Sequence, residues 1–393
     1  MNRQSRLDGI DFWRGCVLCM IFVDHMPGNI FENLTPRNYG FSDAAEAFVF
    51  LSGVSIALAY GAHFSIDERL RTLRGLVKRA LKLYGVHIGL SLIAMAIFFA
   101  GAAWARRPDL LEVHGRALFV DNPGLATLGL VSLGHQLGYF NILPLYMILI
   151  LCVPALLWLA QIDRRLMLGC SALVYGLVRF YGWNLPSWPA PGVWFFDPFA
   201  WQLLFAIGIA IGLSLRDGFP SLSRSLLAFA ALIVAASALV VIHGFGDAQN
   251  AWQPMRNALD LDKAQLGAGR LVHFLALAYL VYGFGLTDRL RGLSLYRPLE
   301  LLGRHSLWVF AWVSLFSAVW QAVIDGTSHA PWFDIPFVGC SLIVIYRATR
   351  MIDGAGASRR SADRSSRLQV AQANREPFLG ITLRELRDYA LRK

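Results

Sequence analysis

Charge is scarce in this sequence. Only 16% of its 393 residues are Asp, Glu, Lys or Arg, while 56% are hydrophobic, against roughly 25% and about 45–50% in soluble domains. That shortage excludes an ordinary soluble enzyme. Cysteine is sparse too: Cys16, Cys19, Cys152, Cys170 and Cys340 all lie in apolar segments. Their odd number and single C-x-x-C spacing give no basis for a disulfide framework or a zinc site, and no metal is expected. No internal repeat is present, which weakens a transporter built from related halves. The first apolar run lacks a small-residue cleavage site and is interrupted by Asp11, Arg14, Asp24 and His25. It is therefore expected to stay in the mature protein rather than leave as a signal peptide.

What the sequence has in abundance is apolar runs of about 20 residues, the length that crosses a bilayer. They fall near 10–30, 44–63, 83–103, 140–160, 166–182, 198–215, 225–243, 268–286, 305–324 and 334–352. The expected fold is an all-α, polytopic membrane bundle of about ten transmembrane helices. An expected cytoplasmic loop over 65–82 holds Arg69, Arg71, Arg74, Lys78, Arg79 and Lys82, whereas Arg106, Arg107 and Arg116 on the other side are offset by Asp109, Glu112 and Asp121. The Lys/Arg bias puts both termini in the cytoplasm, and the net charge of +10 then belongs to a membrane face, not to nucleic acid binding. Residues 31–43 and 125–141 read as neither spans nor turns, the second as an interfacial or re-entrant piece. The bundle is expected over 1–352. Residues 353–393 are expected as a basic cytoplasmic tail, Ser/Arg-rich at 358–367 and then amphipathic through Leu379, Leu383, Leu386 and Ala390, lying on the anionic inner leaflet or partly disordered.

The first helix carries the chemistry. At 100° per residue, Asp11, Arg14, Leu18, Phe22 and His25 share a face, with Arg14 and His25 roughly 16 Å apart along the axis. Ionisable groups at such depth cost several kcal/mol unless paired, so they are candidates for function. Asp11 and Arg14 also fit a buried ion pair, and His25 an interfacial residue beside Pro27-Gly28. Histidine suits general-base work because small shifts move its charge state across neutral pH. Asp24 lies about 100° from His25, so it either contacts substrate or orients a partner. Cys16 and Cys19 turn away from the polar face.

Arg14, ten intervening residues and His25 resemble the arginine–histidine signature of the acyltransferase family 3 membrane enzymes. The wider block, LDGIDFWRG through DHMPGN and TPRNYGFSDAAEAFVFLSG to Gly53, resembles the OpgC branch, whose members succinylate osmoregulated periplasmic glucans. The LPLYMILIL run from Leu143 fits the same architecture. The resemblance implies a multi-pass protein of the bacterial inner membrane that moves an acyl group from a cytoplasmic acyl-CoA, succinyl-CoA first, to glucose hydroxyls outside. No permanently bound cofactor is implied.

In that mechanism His25 takes the hydroxyl proton or carries the acyl group itself, with Arg14 and cytoplasmic basic residues holding the donor. Asp43 and Glu46 fit a capping pair at the start of the second helix, and Glu46 equally fits orienting His25 or a sugar hydroxyl. Arg74, Lys78, Arg79 and Lys82 are donor candidates through phosphate, against a purely topological role. Trp188, among the outer tryptophans, offers a face for a sugar or for the interfacial belt. His135, Arg179, His273, Asp11 and Asp43 complete the substrate-side candidates, while Glu300 and Arg304 fit an exposed pair. The competing readings are acetyl transfer to another envelope polysaccharide, a transporter, or a scaffold presenting the tail.

Overall fold

A chain with so few charges can satisfy its backbone inside a bilayer only by helices or a closed barrel, and the apolar runs are too long and unalternating for strands. The computed structural model describes residues 3–61, 68–218, 221–244, 249–323 and 331–373, and among them it contains no strand, only an isolated bridge between Pro186 and Val193. The helices are α1 Arg3–Asp24, α2 Ala44–Tyr60, α3 Arg69–Ala105, α4 Ala117–Asp121, α5 Pro123–Val131, α6 Ile142–Ile162, α7 Arg164–Tyr181 and α8 Pro198–Asp217. They continue as α9 Arg224–Gly244, α10 Gln249–Ala258, α11 Ala268–Gly283, α12 Leu286–Leu290, α13 Tyr296–Arg304, α14 Ser306–Val323 and α15 Asp334–Ala373.

Six of these, α3, α6, α8, α9, α14 and α15, are long and apolar enough to cross a membrane; α2 and α11 are apolar but shorter. Helix α1, diluted by Asp8, Asp11, Arg14 and Asp24, is not among the six. Each of the ten expected runs nonetheless coincides with a helix.

Three expectations change. The basic stretch 65–82 is helical from Arg69, because Leu76, Ala80 and Leu83 bury one face while Arg74, Lys78 and Lys82 stand exposed on the other. Charge there marks an amphipathic face, not a break. Glu300 is buried, not exposed, and receives Arg297 at 2.8 Å and Arg304 at 2.5 Å. The Ser/Arg-rich stretch 358–367 continues helix α15, while the amphipathic residues 379–390 lie outside the described residues.

The chain divides into two compact units, Met1–Leu342 and Ile343–Lys393, and the candidate site lies wholly in the first. Helix α2 packs closely on α8. A Cβ at Gly53 would sit 2.3 Å from the Phe205 carbonyl oxygen, and one at Gly208 2.3 Å from that of Phe50, so the backbones touch where glycine leaves room. A bond from Arg14 to Ser306, and bonds from Ser317 to the Phe22 carbonyl and from Gln321 to the His25 carbonyl, show α14 running beside α1 in the same direction.

Candidate functional site

Helix α1 ends in a turn that α14 holds from one side. His25 follows its last residue, Gly28 takes a left-handed φ of 77°, and Asn29 donates back to the Val23 carbonyl at 2.9 Å. The Gln321 amide donates to the His25 carbonyl at 2.9 Å, and the Trp320 indole to that of Pro27 at 3.2 Å. The backbone under the imidazole is therefore fixed. The ring itself is half-buried, and its Nδ1 has no hydrogen-bond partner.

Tyr139 stands against that ring at 4.7 Å between centroids, and His114 stands against Tyr139 at 4.9 Å. Both Tyr139 (φ 71°) and His114 (φ 58°) are left-handed, which costs of order 1–3 kcal/mol for a side chain without glycine's freedom. The strain is held where the Tyr139 ring meets the rings of His25 and His114. His114 opens onto a cavity of about 310 Å³ lined also by Pro27, Arg107, Asp109, Leu110, Glu112, Val113, Arg116 and Gln321. Arg116 is fully buried, lies 3.4 Å over the Phe98 ring, and donates to Gln321 at 2.6 Å and to the Leu110 carbonyl at 2.9 Å. The cavity wall and the His25 turn thus share one hydrogen-bonded frame.

A cluster of opposite charges at the start of α2 acts on His25. Asp43 caps α2 by accepting from the Ala45 N–H at 2.8 Å, and its second oxygen takes Lys263 at 2.7 Å and Arg270 at 3.0 Å. Burial opposes its charge, but Lys263 and Arg270 hold this carboxyl well below the usual carboxylate range. Glu46 accepts from the Asp43 N–H at 2.9 Å and from Arg270 Nε at 2.7 Å. Both Glu46 oxygens are engaged, so it positions Arg270 and α2 rather than reaching the imidazole. Asp24 accepts from the Thr35 hydroxyl at 2.7 Å, and Asp43, Lys263 and Arg37 are the charges that act on His25.

Arg14 sits about three turns below His25 on α1. It contacts Ser306 and lies 3.4 Å from Asp11. Arg79 donates to the Tyr146 hydroxyl at 2.7 Å. With Phe48, Leu83, Leu143, Leu307 and Phe310 these groups line a small pocket of about 40 Å³, room for a few waters and not for a thioester. Leu18 and Phe22, both with 0% exposure, fill α1 between Arg14 and His25.

The family model described as OpgC protein matches residues 3–353. The chain belongs to the OpgC family. No curated protein and no solved structure matches it. OpgC membership implies an acyltransferase, and the apolar helices make it a membrane-type protein.

The site of this OpgC chain draws together only some of the candidates that the sequence offers. Arg14 and Arg79 share the small pocket, and His25, Asp24, Asp43 and Glu46 gather where α1 ends and α2 begins; Asp11 is held by Arg14. Arg74, Lys78 and Lys82 face outward from α3. His135 is taken up by the Gly115 carbonyl at 2.8 Å, with burial pushing its pKa down, so it serves the loop. Arg179 is committed to Asp260 and Gln265. Trp188 is half-exposed and tied through its backbone to Gly134 at 3.0 Å. His273 receives Ser42 at 2.8 Å between its Nδ1 and the hydroxyl, beneath Gly40, one turn from Arg270.

Sequence reasoning passed over Arg270, Lys263, Tyr146, Ser306 and His114. Arg270 had a signal, a lone guanidinium in the apolar run GAGRLVHF of the kind that flags intramembrane function. Tyr146 and Ser306 had none, since a hydroxyl in an apolar helix is ordinary packing until its neighbours are known.

Proposed function

We propose that this chain transfers an acyl group, succinyl first, from an acyl-CoA on the cytoplasmic side to a hydroxyl of a periplasmic glucan, across the bacterial inner membrane. In this reading ten helices span, both termini are cytoplasmic, and the protein shares the chemistry of acyltransferase family 3. The relative directions of α1 and α14 support that alternation. The basic face of α3 and the Arg14–Arg79 pocket lie at the inner mouth, where charge-assisted bonds hold the donor.

The observation that carries the reading is His25: a histidine with an unpartnered Nδ1, on a clamped turn, joined through the rings of Tyr139 and His114 to a polar cavity of about 310 Å³. The glucan hydroxyl enters through the outer cavity. As its oxygen attacks the thioester carbonyl, its proton passes to His25, the carbon–sulfur bond breaks, and the CoA thiolate leaves and is protonated. Displacement of Tyr139 is needed to bring hydroxyl and imidazole together.

Comparing periplasmic glucans from cells expressing wild type and His25→Ala, by mass and net charge, tests this. Loss of acidic substituents at equal protein level is expected. Unchanged substitution in the variant would falsify the role of His25.

A further inference from the structure

Helix α3 carries a buried polar group that none of the roles above uses. His87 has 0% exposure and is hydrogen-bonded to the Phe140 backbone, which leaves its second ring nitrogen without a partner. Ser91, one turn on and equally buried, has an unpartnered hydroxyl, and so does Ser314 on α14, the helix against which α3 packs. Unpartnered buried polar groups are rare and each costs roughly 1–3 kcal/mol. Three on two helices packed together call for an absent partner.

Their height is informative. Leu83 lines the inner pocket, and Phe98 underlies Arg116 at the outer cavity. Those two are roughly 22 Å apart along α3, with His87 roughly 6 Å and Ser91 roughly 12 Å above Leu83 and within about 80° of its face. Ser314 lies between Ser306, at the inner pocket, and Gln321, at the outer cavity. Phe140 is next to Tyr139, which touches His25. The unpartnered atoms therefore lie at heights between the two mouths, the same span of α1 that Leu18 and Phe22 occupy.

We propose that His87, Ser91 and Ser314 form the polar wall of the donor's passage and bind the amide-bearing arm of an acyl-CoA as its thioester reaches His25. That arm is an apolar thread interrupted by two amides and a hydroxyl. One imidazole and two hydroxyls on an otherwise apolar wall match it. The inference rests on the donor assigned under the proposed function.

The test is equilibrium binding of CoA, and of 3′-phospho-ADP, which has the nucleotide but no arm, to full-length protein in nanodiscs. His87→Phe is expected to weaken CoA about tenfold, the worth of one net hydrogen bond, and to leave 3′-phospho-ADP unchanged. Its melting temperature should stay level or rise, because a buried imidazole nitrogen without a partner has been removed. His87→Gln, which keeps a donor and an acceptor, should retain most CoA affinity. Ser91→Ala repeats the measurement with the smallest change of shape. Wild-type affinity for CoA in both His87→Phe and Ser91→Ala, or equal loss for both ligands, overturns the proposal. If wild type binds neither ligand, the donor assignment falls and the passage with it.

Discussion

Arg270 is the residue on which the outer cluster turns. Its guanidinium faces Asp43 and Glu46 at once, and Glu46 has 0% exposure. Removing one partner of such a cluster strands a buried charge, so Arg270→Ala should cost about 3–5 kcal/mol, read as a loss of stability in denaturant titration in detergent. A smaller loss than that of an exposed arginine such as Arg74 would show the cluster to be incidental. On α3, Arg79 and Lys78 are chain neighbours with different surroundings: one lines the pocket and one is exposed. Arg79→Ala should raise the donor KM about tenfold and Lys78→Ala leave it near wild type, in assays varying acyl-CoA at saturating glucan. The sequence made Arg14 and His25 legible because charge inside an apolar run has few bland explanations. It could not separate Arg79 from Lys78, since both belong to one basic stretch and only the pocket decides between them.

At the scale of elements, the α2–α8 crossing and the start of α8 are open to direct test. Gly53→Ala must push α2 off the Phe205 carbonyl, a steric cost of about 1–3 kcal/mol, measurable as a lowered melting temperature. Asp197 caps α8 through the Phe199 N–H at 2.9 Å, while its other oxygen is buried without a partner. Burial pushes its carboxyl from 3.8 up to about 6, against the pull of the backbone N–H groups. The folded protein therefore holds this proton more tightly than the unfolded chain. Its contribution to stability is full below about pH 4 and is lost as pH rises through 6. Asp197→Asn keeps the cap without titrating, so its melting temperature should gain on wild type between pH 4 and pH 7; parallel curves would refute this. Helix positions were readable from apolar run length. The start of α3 was not, because its charges line one face of a helix and resemble a loop until Leu76, Ala80 and Leu83 are seen to bury the other.

For the whole molecule, the orientation and the two-mouth arrangement stand or fall together. Single cysteines placed at Lys78 and Glu112 should react with impermeant reagents from opposite sides of oriented vesicles; modification from the same side would overturn the donor and acceptor assignments. A chain ending at residue 352 should keep acyl transfer, measured by glucan charge, since every residue of the site lies before that point. The packed pair Leu18 and Phe22 carries a last consequence. With both side chains at 0% exposure, α1 offers small ions and protons no open surface between Arg14 and His25. An acyl chain, by contrast, can push these flexible side chains aside and let them close behind it. A cell would then decorate its exterior without short-circuiting the voltage across its own membrane.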